Sequence, residues 1–426
     1  MTQRQLRMPA LSKRSLWSET GMTSPRIAIA GASLAGVRTA EALRAALPNA
    51  RIVLVGEERH APYNRPPLSK DAIEGLASGH PSQEQILEKL LLRSKLSPGD
   101  VDLRLGRAVV SVESGQLRLA DGARVSADWI IAATGLRPRH LPQKGAEERR
   151  YVLRGFDDAC RLAGRLRAGS RMAVIGGGFI GCEIASTACK LGLHVTIVEP
   201  EPQPMLHALG TRVAAAMGNL HRRRGVRLLT GRRVHSFSNG NVVLDDGEAL
   251  EADVIVEALG TVPNTEWLTG TGVDLSDGVL VDDRMIAAGS SNMLAVGDIA
   301  RFANLRFDAT CRRVEHWCVP GQTARRAAET ISALSEGRSP SGGFAPMPSF
   351  WSEQHGMRLQ SFGAPALADT QTVIEGDLSQ VGEAPIIVEY ARRGELVAVV
   401  GLGARPNSLA RHHARLDKAT IQTMSA

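Results

Sequence analysis

The sequence is poor in aromatic residues and cysteine, and it has no long uncharged apolar run. Phe, Trp and Tyr make up only 4% of the 426 residues, which argues against a stacking surface for single-stranded nucleic acid. The five cysteines form no CxxC pair, so we expect a reducing, cytoplasmic compartment rather than a disulfide-stapled secreted scaffold. The longest apolar stretch, residues 174–185, contains Glu183, which excludes a membrane span.

The chain is long, basic and rich in glycine. Its 426 residues predict two or three domains, and its 43 glycines favour a nucleotide-binding enzyme. The net charge of +7 suits an acidic partner, but no nucleic-acid-binding motif accompanies it, so we expect no nucleic acid. Residues 1–23 form an Arg- and Ser-rich extension that we expect to be disordered. We interpret it as the product of a start codon upstream of Met22, with a weak transit peptide as the alternative.

Two segments repeat one pattern: a buried strand, a glycine-rich turn, a helix, and a second strand ending in an acid. The first covers residues 26–55 and is followed by Glu57. The second covers residues 172–198 and is followed by Glu199. Such turns let backbone N–H groups at a helix N-terminus meet a pyrophosphate, and the acid reaches a ribose. Chance glycine turns are the alternative. The predicted nucleotide-binding residues are Gly31, Ser33, Leu34, Ala35, Gly36, Glu57, Gly176, Gly178, Phe179, Ile180, Gly181 and Glu199.

Two of these positions bear on the cofactor. Ser33 replaces the middle glycine of the first turn, and we expect this small side chain to be tolerated. Glu199 favours NADH over NADPH, because a carboxylate accepts hydrogen bonds from a ribose 2′-OH and repels a 2′-phosphate. No arginine follows it immediately. The alternative for Glu199 is a solvated acid at a strand end.

Four further segments, residues 62–70, 133–139, 292–300 and 348–352, complete a specific set of motifs. With them, the chain from Ser24 onward resembles the FAD-dependent, NADH-oxidising ferredoxin reductases of cytochrome P450 and Rieske oxygenase systems, which are putidaredoxin-reductase-like enzymes. The resemblance implies an α/β fold with two Rossmann-like dinucleotide-binding domains in a glutathione-reductase-like arrangement, plus a C-terminal α+β domain. The implied domains are an FAD domain over 24–142 and 255–338, an NADH domain over 143–254, and a C-terminal domain over 339–426.

The resemblance also assigns roles to individual residues. Lys70 would lie beside the flavin and pair with Glu183 near the hydride path; the alternatives are a surface lysine and an acid favoured by the helix dipole. Asp298 would accept hydrogen bonds from the ribityl chain, unless it is a plain strand-end acid. Core packing is the alternative for the two tryptophans of the set. The remaining cofactor-binding positions are Arg65, Pro67, Ala133, Thr134, Gly135, Arg139, Gly260, Gly297, Glu315, His316, Trp317 and Trp351.

The sequence lacks the cysteine and metal-ligand motifs that several other classes of redox enzyme need. Residues 1–150 contain no cysteine, whereas flavin disulfide reductases, NADH peroxidases and CoA-disulfide reductases need one or two beside the flavin. Cys311, His316 and Cys318 cluster without further ligands at structural-zinc spacing, so we expect no metal. No four-cysteine iron–sulfur pattern occurs, so a one-electron carrier must be external.

We therefore expect electrons to pass from NADH through FAD to a [2Fe–2S] ferredoxin that supplies a P450 or Rieske-type oxygenase. Alternatives are a flavoprotein using rubredoxin, quinone or oxygen, and a redox signalling protein similar to apoptosis-inducing factor. A monomer or weak homodimer is expected. The predicted ferredoxin-docking residues, which are otherwise solvated surface charges, are Arg301, Arg306, Arg312 and Arg313.

Overall fold

The computed structural model describes residues 24–238 and 240–424. The extension predicted over residues 1–23 therefore lies outside the described residues. The described chain has the expected α/β fold, with two parallel sheets and one antiparallel sheet of five strands each. Its α-helices are α1 Leu34–Ala46, α2 Asp71–Ser78, α3 Gln83–Leu90, α4 Phe156–Ala163, α5 Phe179–Lys190, α6 Leu206–Arg223, α7 Val319–Ser335 and α8 Pro406–Met424.

The first parallel sheet combines four strands from residues 26–132 with one strand, Met293–Ala295, that comes much later in the chain. Its inner strands are mostly apolar, and strand residues such as Ile29 share one core with Val37 of α1 and Ile331 of α7. This sheet carries the first glycine-rich turn. In spatial order its strands are Met293–Ala295, Trp129–Ala132, Arg26–Ala30, Arg51–Val55 and Asp102–Arg104, all parallel.

The second parallel sheet is formed by the inserted unit and carries the second glycine-rich turn. The predicted domain boundary between residues 254 and 255 falls inside the strand Val254–Glu257, which pairs with Arg171–Ile175. The inserted unit therefore extends at least to Glu257. The strand order is Arg227–Thr230, His194–Glu199, Arg171–Ile175, Val254–Glu257 and Arg150–Tyr151, all parallel.

Smaller sheets extend the two units. One antiparallel sheet belongs to the first unit and one to the second, in line with the β-type patterns predicted there. Their strands are Val109–Glu113, Gln116–Leu119 and Arg124–Ser126, then Val234–Ser238, Asn241–Leu244 and Ala249–Glu251. Leu136–Pro138 pairs with Thr261–Pro263, and a third small sheet contains Val279–Leu280, Ala300–Ala303 and Cys311–Arg313.

The C-terminal domain is the predicted antiparallel sheet followed by α8. It packs on the inserted unit: Tyr390 is fully buried, and its hydroxyl donates to the Leu209 carbonyl of α6 at 2.7 Å. None of the helices in residues 24–238 and 240–424 is both long and apolar enough to cross a membrane. The strand order is Ser349–Gln354, Met357–Gly363, Glu395–Leu402, Ile386–Arg392 and Thr370–Glu375.

Candidate functional site

Each predicted glycine-rich turn presses against the end of a neighbouring strand. Gly31 has φ +115° and Gly176 has φ +104°, a backbone region that disfavours residues with a side chain. A β-carbon at Gly31 would lie 2.2 Å from the Ala133 carbonyl oxygen, and one at Gly176 would lie 2.3 Å from that of Ala258. Both turns therefore require glycine, and Ala133 and Ala258 lie directly against them.

The two turns also bring helix and strand close together and leave room above the helix N-terminus. A β-carbon at Gly36 or Gly181 would lie 1.9 or 2.1 Å from the carbonyl oxygen at the start of its turn. At Gly178, in contrast, no atom lies within 4 Å of such a β-carbon. Ser33, at the matching position, makes no side-chain capping bond to α1. This shape fits a pyrophosphate at the N-terminus of each helix.

The acids that follow the two turns differ in exposure. Glu57 is exposed at the end of its strand. Glu199 is only 8% exposed, and its carboxylate accepts hydrogen bonds from the Gly177 N–H at 2.5 Å and the Glu201 N–H at 2.9 Å. Glu199 is therefore not a solvated strand-end acid. Its preference for NADH stays a prediction.

Lys70 and Glu183 form a buried ion pair between the two nucleotide-binding units. Lys70 Nζ lies 2.6 Å from Glu183 Oε2, and the exposed fractions of the two side chains are 14% and 8%. The short helix Pro66–Ser69 positions the lysine, which also donates to the Pro66 carbonyl at 3.0 Å. Neither residue is the solvated surface charge considered as an alternative. The expected pairing is present, and the catalytic role remains a prediction.

Two serines that sequence reasoning did not assign complete the surroundings of Glu183. Ser69 Oγ donates to Glu183 Oε2 at 2.5 Å, and Ser352 Oγ donates to Oε1 at 2.7 Å. Thr187 of α5 donates to the Ser69 carbonyl at 2.8 Å and so fastens the lysine-bearing segment to the helix that carries Glu183. Both serines lie in segments that carry the resemblance, but no local pattern shows what their side chains meet.

Asp298 is paired with an arginine that sequence reasoning missed. Arg154 Nη2 lies 3.7 Å from Asp298 Oδ2. Burial lowers the pKa of Arg154 and raises the pKa of Asp298. Arg154 Nε is buried and has no hydrogen-bond partner among the described residues, and neither does His316 Nδ1. These orphaned polar atoms fit a polar cofactor such as FAD, and nothing in the local sequence distinguishes Arg154 from other arginines.

Gly297 holds Asp298 close to the first glycine-rich turn. Its N–H donates to Thr323 Oγ1 at 2.9 Å, and a β-carbon there would lie 2.8 Å from Ala35 Cβ in α1. A strand-end acid is thus placed beside the helix N-terminus that the dinucleotide would contact. The position of Asp298 agrees with a ribityl contact and not with a plain solvated acid.

The predicted aromatic positions meet at the surface. The rings of Trp317 and Trp351 lie 5.6 Å apart in an edge-on arrangement. Trp317 is 44% exposed, so the core-packing alternative is wrong for this residue. The Arg358 guanidinium lies 5.8 Å from the Trp351 ring centroid. We refer to Trp317 and Trp351 as the tryptophan pair.

The other predicted site residues connect distant segments of the chain to one another. Thr134 Oγ1 donates to the Asn264 carbonyl at 2.8 Å, and the N–H of the exposed Arg139 donates to the Gly260 carbonyl at 3.0 Å. Arg65 is ion-paired with Glu58 and donates to the Arg154 carbonyl at 2.7 Å. Glu315 is exposed and accepts from Thr261 Oγ1 at 2.9 Å.

The predicted docking arginines do not form a patch of unmatched positive charge. Arg301 pairs with Asp274 at 2.9 Å, Arg312 with Asp308 at 2.6 Å, and Arg313 with Asp277 at 2.8 Å. Arg306 Nε donates to the Ala345 carbonyl at 3.2 Å. The structure therefore does not support a surplus of positive charge at Arg301, Arg312 and Arg313, because each of them is ion-paired with an acid.

The cysteines and possible metal ligands add no further site. All five cysteines are free thiols. Within residues 24–238 and 240–424, no three His, Cys, Asp or Glu side chains converge where they could hold a metal ion, including Cys311, His316 and Cys318.

Two buried imidazoles make the stability of the fold pH-dependent. Burial lowers the pKa of His316 to about 4; burial, with His221 and Arg224 nearby, lowers the pKa of His355 to about 3. Because an unfolded histidine titrates near 6.5, the unfolded chain binds more protons as the pH falls below that value. We expect a lower melting temperature at about pH 5 than at about pH 7.5, and a smaller difference for His316→Gln. Equal wild-type melting temperatures at the two pH values would contradict this.

Comparison with known proteins agrees with the geometry. The pyridine nucleotide-disulphide oxidoreductase family model matches residues 25–328, and a reductase C-terminal model matches residues 349–422. Putidaredoxin reductase of Pseudomonas putida is 32% identical over 396 residues, covering 89% of each chain. The ferredoxin reductase component of chlorobenzene dioxygenase from Cupriavidus sp. (strain PS12) is 34% identical over 386 residues, again with 89% of each chain covered.

A solved structure supports the same relationship in three dimensions. The covalent putidaredoxin reductase–putidaredoxin complex contains a chain that aligns with a TM-score of 0.81 at 30% identity. The alignment covers 92% of this chain and 93% of that one. Both nucleotide-binding units and the C-terminal domain are therefore shared.

Proposed function

Since this chain belongs to the pyridine nucleotide-disulphide oxidoreductase family, we propose that it passes electrons from NADH through FAD to a [2Fe–2S] ferredoxin that supplies a cytochrome P450 or Rieske-type oxygenase. FAD, when bound, accepts a hydride and releases electrons singly. The observation that carries the proposal is the buried Lys70–Glu183 pair, which joins the two nucleotide-binding units with a 2.6 Å contact. No cysteine precedes Cys160, so residues 1–159, which carry the first glycine-rich turn, lack the thiol that disulfide chemistry would need there.

The chain's own residues supply binding and charge. The turn at Gly31, with Arg154 and Asp298, would hold FAD, and the turn at Gly176 with Glu199 would hold NADH. Lys70 places a cation on the flavin side, where it stabilises developing negative charge. Glu183 keeps that lysine in place, since its carboxylate is buried and accepts from both serines.

The ferredoxin partner is supported by the named relatives and by the exposed tryptophan pair. One relative is a reductase solved in covalent complex with its redox partner putidaredoxin. Trp317 is a large apolar side chain left 44% exposed at a predicted flavin-edge position. Exposed aromatic side chains are enriched where proteins bind partners. We assign ferredoxin contact to this pair rather than to the ion-paired arginines.

Replacing the exposed tryptophan should separate the two half-reactions. We expect Trp317→Ala to slow electron transfer to ferredoxin by about tenfold, because an interface aromatic contributes roughly 1–2 kcal/mol. Reduction by NADH should stay within twofold of wild type, on the order of experimental scatter. Leu103→Ala removes another exposed apolar side chain, 46% exposed on the last strand of the first sheet, and is the matched control. An unchanged ferredoxin rate in Trp317→Ala would remove the pair from the docking surface.

Anaerobic stopped-flow tests the function as a whole. NADH should bleach a flavin band near ~450 nm, and oxidised [2Fe–2S] ferredoxin should then restore it. Bleaching that is restored only by rubredoxin, a quinone or oxygen would keep the cofactors and replace the partner. A long-lived reduced complex with none of these acceptors would favour a signalling role. Absence of bleaching would refute the cofactor assignment.

The oligomeric state and the cellular compartment are also proposed. We infer that the enzyme works as a monomer or weak homodimer in the reducing cytoplasm, which its five free cysteines support. Light scattering across a range of protein concentrations tests the oligomeric state. A dimer that persists on dilution would contradict it.

A further inference from the structure

A line of hydrogen-bonded side chains leads away from Glu183 through the interface with the C-terminal domain. Ser352 Oγ contacts Glu183 Oε1, and Gln354 Nε2 lies 2.9 Å from Ser352 Oγ. Gln354 Oε1 lies 2.9 Å from His221 Nε2, and His221 Nδ1 lies 3.0 Å from His355 Nε2. We call Ser352, Gln354, His221 and His355 the donor chain.

The donor chain is largely buried and comes from two separate segments, residues 352–355 and α6. Ser352 and Gln354 are alternate residues of one strand and face the same side, with exposed fractions of 0% and 1%. His221 lies in the last turn of α6 and is 0% exposed. His355 is half-buried, and its backbone N–H donates to Ser186 Oγ of α5 at 2.6 Å. Buried polar side chains brought together from distant segments need hydrogen bonds to one another.

The direction of every hydrogen bond follows from the carboxylate at one end. An ionised Glu183 can only accept, so Ser352 must donate to it and in turn accepts from the amide N–H of Gln354. The Gln354 oxygen then faces His221, which must donate from Nε2. His221 Nδ1 is left as an acceptor for the Nε2–H of His355.

Independent contacts agree with this polarity. Gln354 Nε2 also lies 3.4 Å from the Met205 sulfur, a weak acceptor, which places the amide nitrogen on that side. Burial lowers the pKa of both imidazoles, which favours the neutral rings that this direction requires. The chain of donors therefore points toward Glu183 without interruption.

We propose that the donor chain positions Glu183: its aligned hydrogen bonds hold the carboxylate turned toward Lys70, and so fix the charge beside the flavin. This rests on the proposed function only for the location of the flavin. His221 touches neither cofactor position nor Lys70, so it acts as a positioning residue through Gln354 and Ser352. Hydrogen bonds to a charged group are stronger than neutral ones and polarise along a chain.

The hydrogen positions can be measured without any redox assay. In the full-length, FAD-loaded protein labelled with ¹⁵N-histidine, long-range ¹H–¹⁵N spectra report which ring nitrogen carries the proton. We expect His221 and His355 both protonated on Nε2, with assignments from His221→Gln and His355→Gln. A proton on Nδ1 of His221 would reverse the chain and overturn the proposal, whatever the enzyme's acceptor is.

Two substitutions at one position test the effect on the site. His221→Phe removes the donor, and we expect flavin reduction by NADH to slow about tenfold and the flavin midpoint potential to shift. His221→Gln keeps an N–H donor near the same place and should restore most of both. Gln354→Leu, on the other side of the domain interface, should reproduce the effect of His221→Phe. The exposed His194→Gln, at the start of a strand in the same unit, is the control.

These outcomes separate positioning from simple structural support. A structural role would lower the melting temperature of His221→Phe and Gln354→Leu but leave rate and potential at wild-type values, which would overturn the proposal. If the wild-type flavin is not reduced by NADH, the proposed function fails, while the tautomer measurement and the potential still decide the donor chain.

Discussion

Gly178→Val is expected to weaken NADH binding about 100-fold, equivalent to about 2.7 kcal/mol, while leaving fold and FAD content intact. Gly178 lies at the N-terminus of α5 with φ −73°, which a valine adopts without strain. No atom lies within 4 Å of the β-carbon that the substitution would add. The added side chain therefore meets no part of the protein and occupies the space where a pyrophosphate would approach the helix.

The measurement is the NADH dissociation constant, with FAD content and melting temperature determined on the same sample. Gly343→Val is the matched control, because Gly343 is also exposed, lacks a positive φ and has open space around its β-carbon. Gly181→Ala provides a contrast: its β-carbon would lie 2.1 Å from the Gly176 carbonyl oxygen, so it should disturb the fold itself. Wild-type NADH affinity in Gly178→Val would show that the pyrophosphate does not lie over this turn.

Lys70→Met is expected to lower both the stability of the enzyme and the rate of flavin reduction. The substitution leaves the Glu183 carboxylate buried without its cation, and breaking a buried ion pair costs about 3–5 kcal/mol. Losing a positioned charge where negative charge develops should slow flavin reduction by NADH roughly 100-fold. Thermal unfolding and anaerobic stopped-flow measure the two effects separately.

The double variant Lys70→Met with Glu183→Gln separates these effects. Neutralising both partners removes the unpaired buried charge, so most of the stability should return. The rate should remain low, because the cation is still missing. Recovery of the rate together with the stability would mean that Lys70 acts only through folding.

An exposed ion pair elsewhere supplies the control for this cycle. Lys190 and Glu74 are also 2.6 Å apart, but the Lys190 side chain is 67% exposed. Solvent screens such a pair, so Lys190→Met should cost less than about 1 kcal/mol and leave the rate unchanged. A cost equal to that of Lys70→Met would contradict the role assigned to burial.

The nucleotide-binding turns were predictable because their determinants are contiguous. A strand, a turn and a helix follow one another within each segment, and α1 and α5 begin inside the predicted glycine-rich segments, at Leu34 and Phe179. The domain boundary at residue 254 was less predictable. The β-type pattern runs on without a break there, and only pairing with Arg171–Ile175 assigns Val254–Glu257 to the inserted unit.

Ion-pair partners were the feature that the sequence predicted least well. Arg301 and Arg313 pair with acids from a distant segment, Asp274 and Asp277, whereas Arg312 pairs with Asp308, four residues earlier. Arg154 carries no local signal at all, and its pairing with Asp298 depends on the meeting of two distant segments. Electrostatic partners are chosen by distance in space, which residue spacing does not encode.

Local patterns in the chain were sufficient for the α/β class and the two dinucleotide turns, and the family resemblance added the use of FAD and NADH and the prediction that Lys70 pairs with Glu183. Those features depend on backbone conformation within short segments or on motifs that a family shares. Tertiary structure alone decided that Glu183 is buried among Ser69 and Ser352, and that a line of donors reaches it from His221. Such a network needs side chains from three elements within about 3 Å of one another, and only packing can bring them that close.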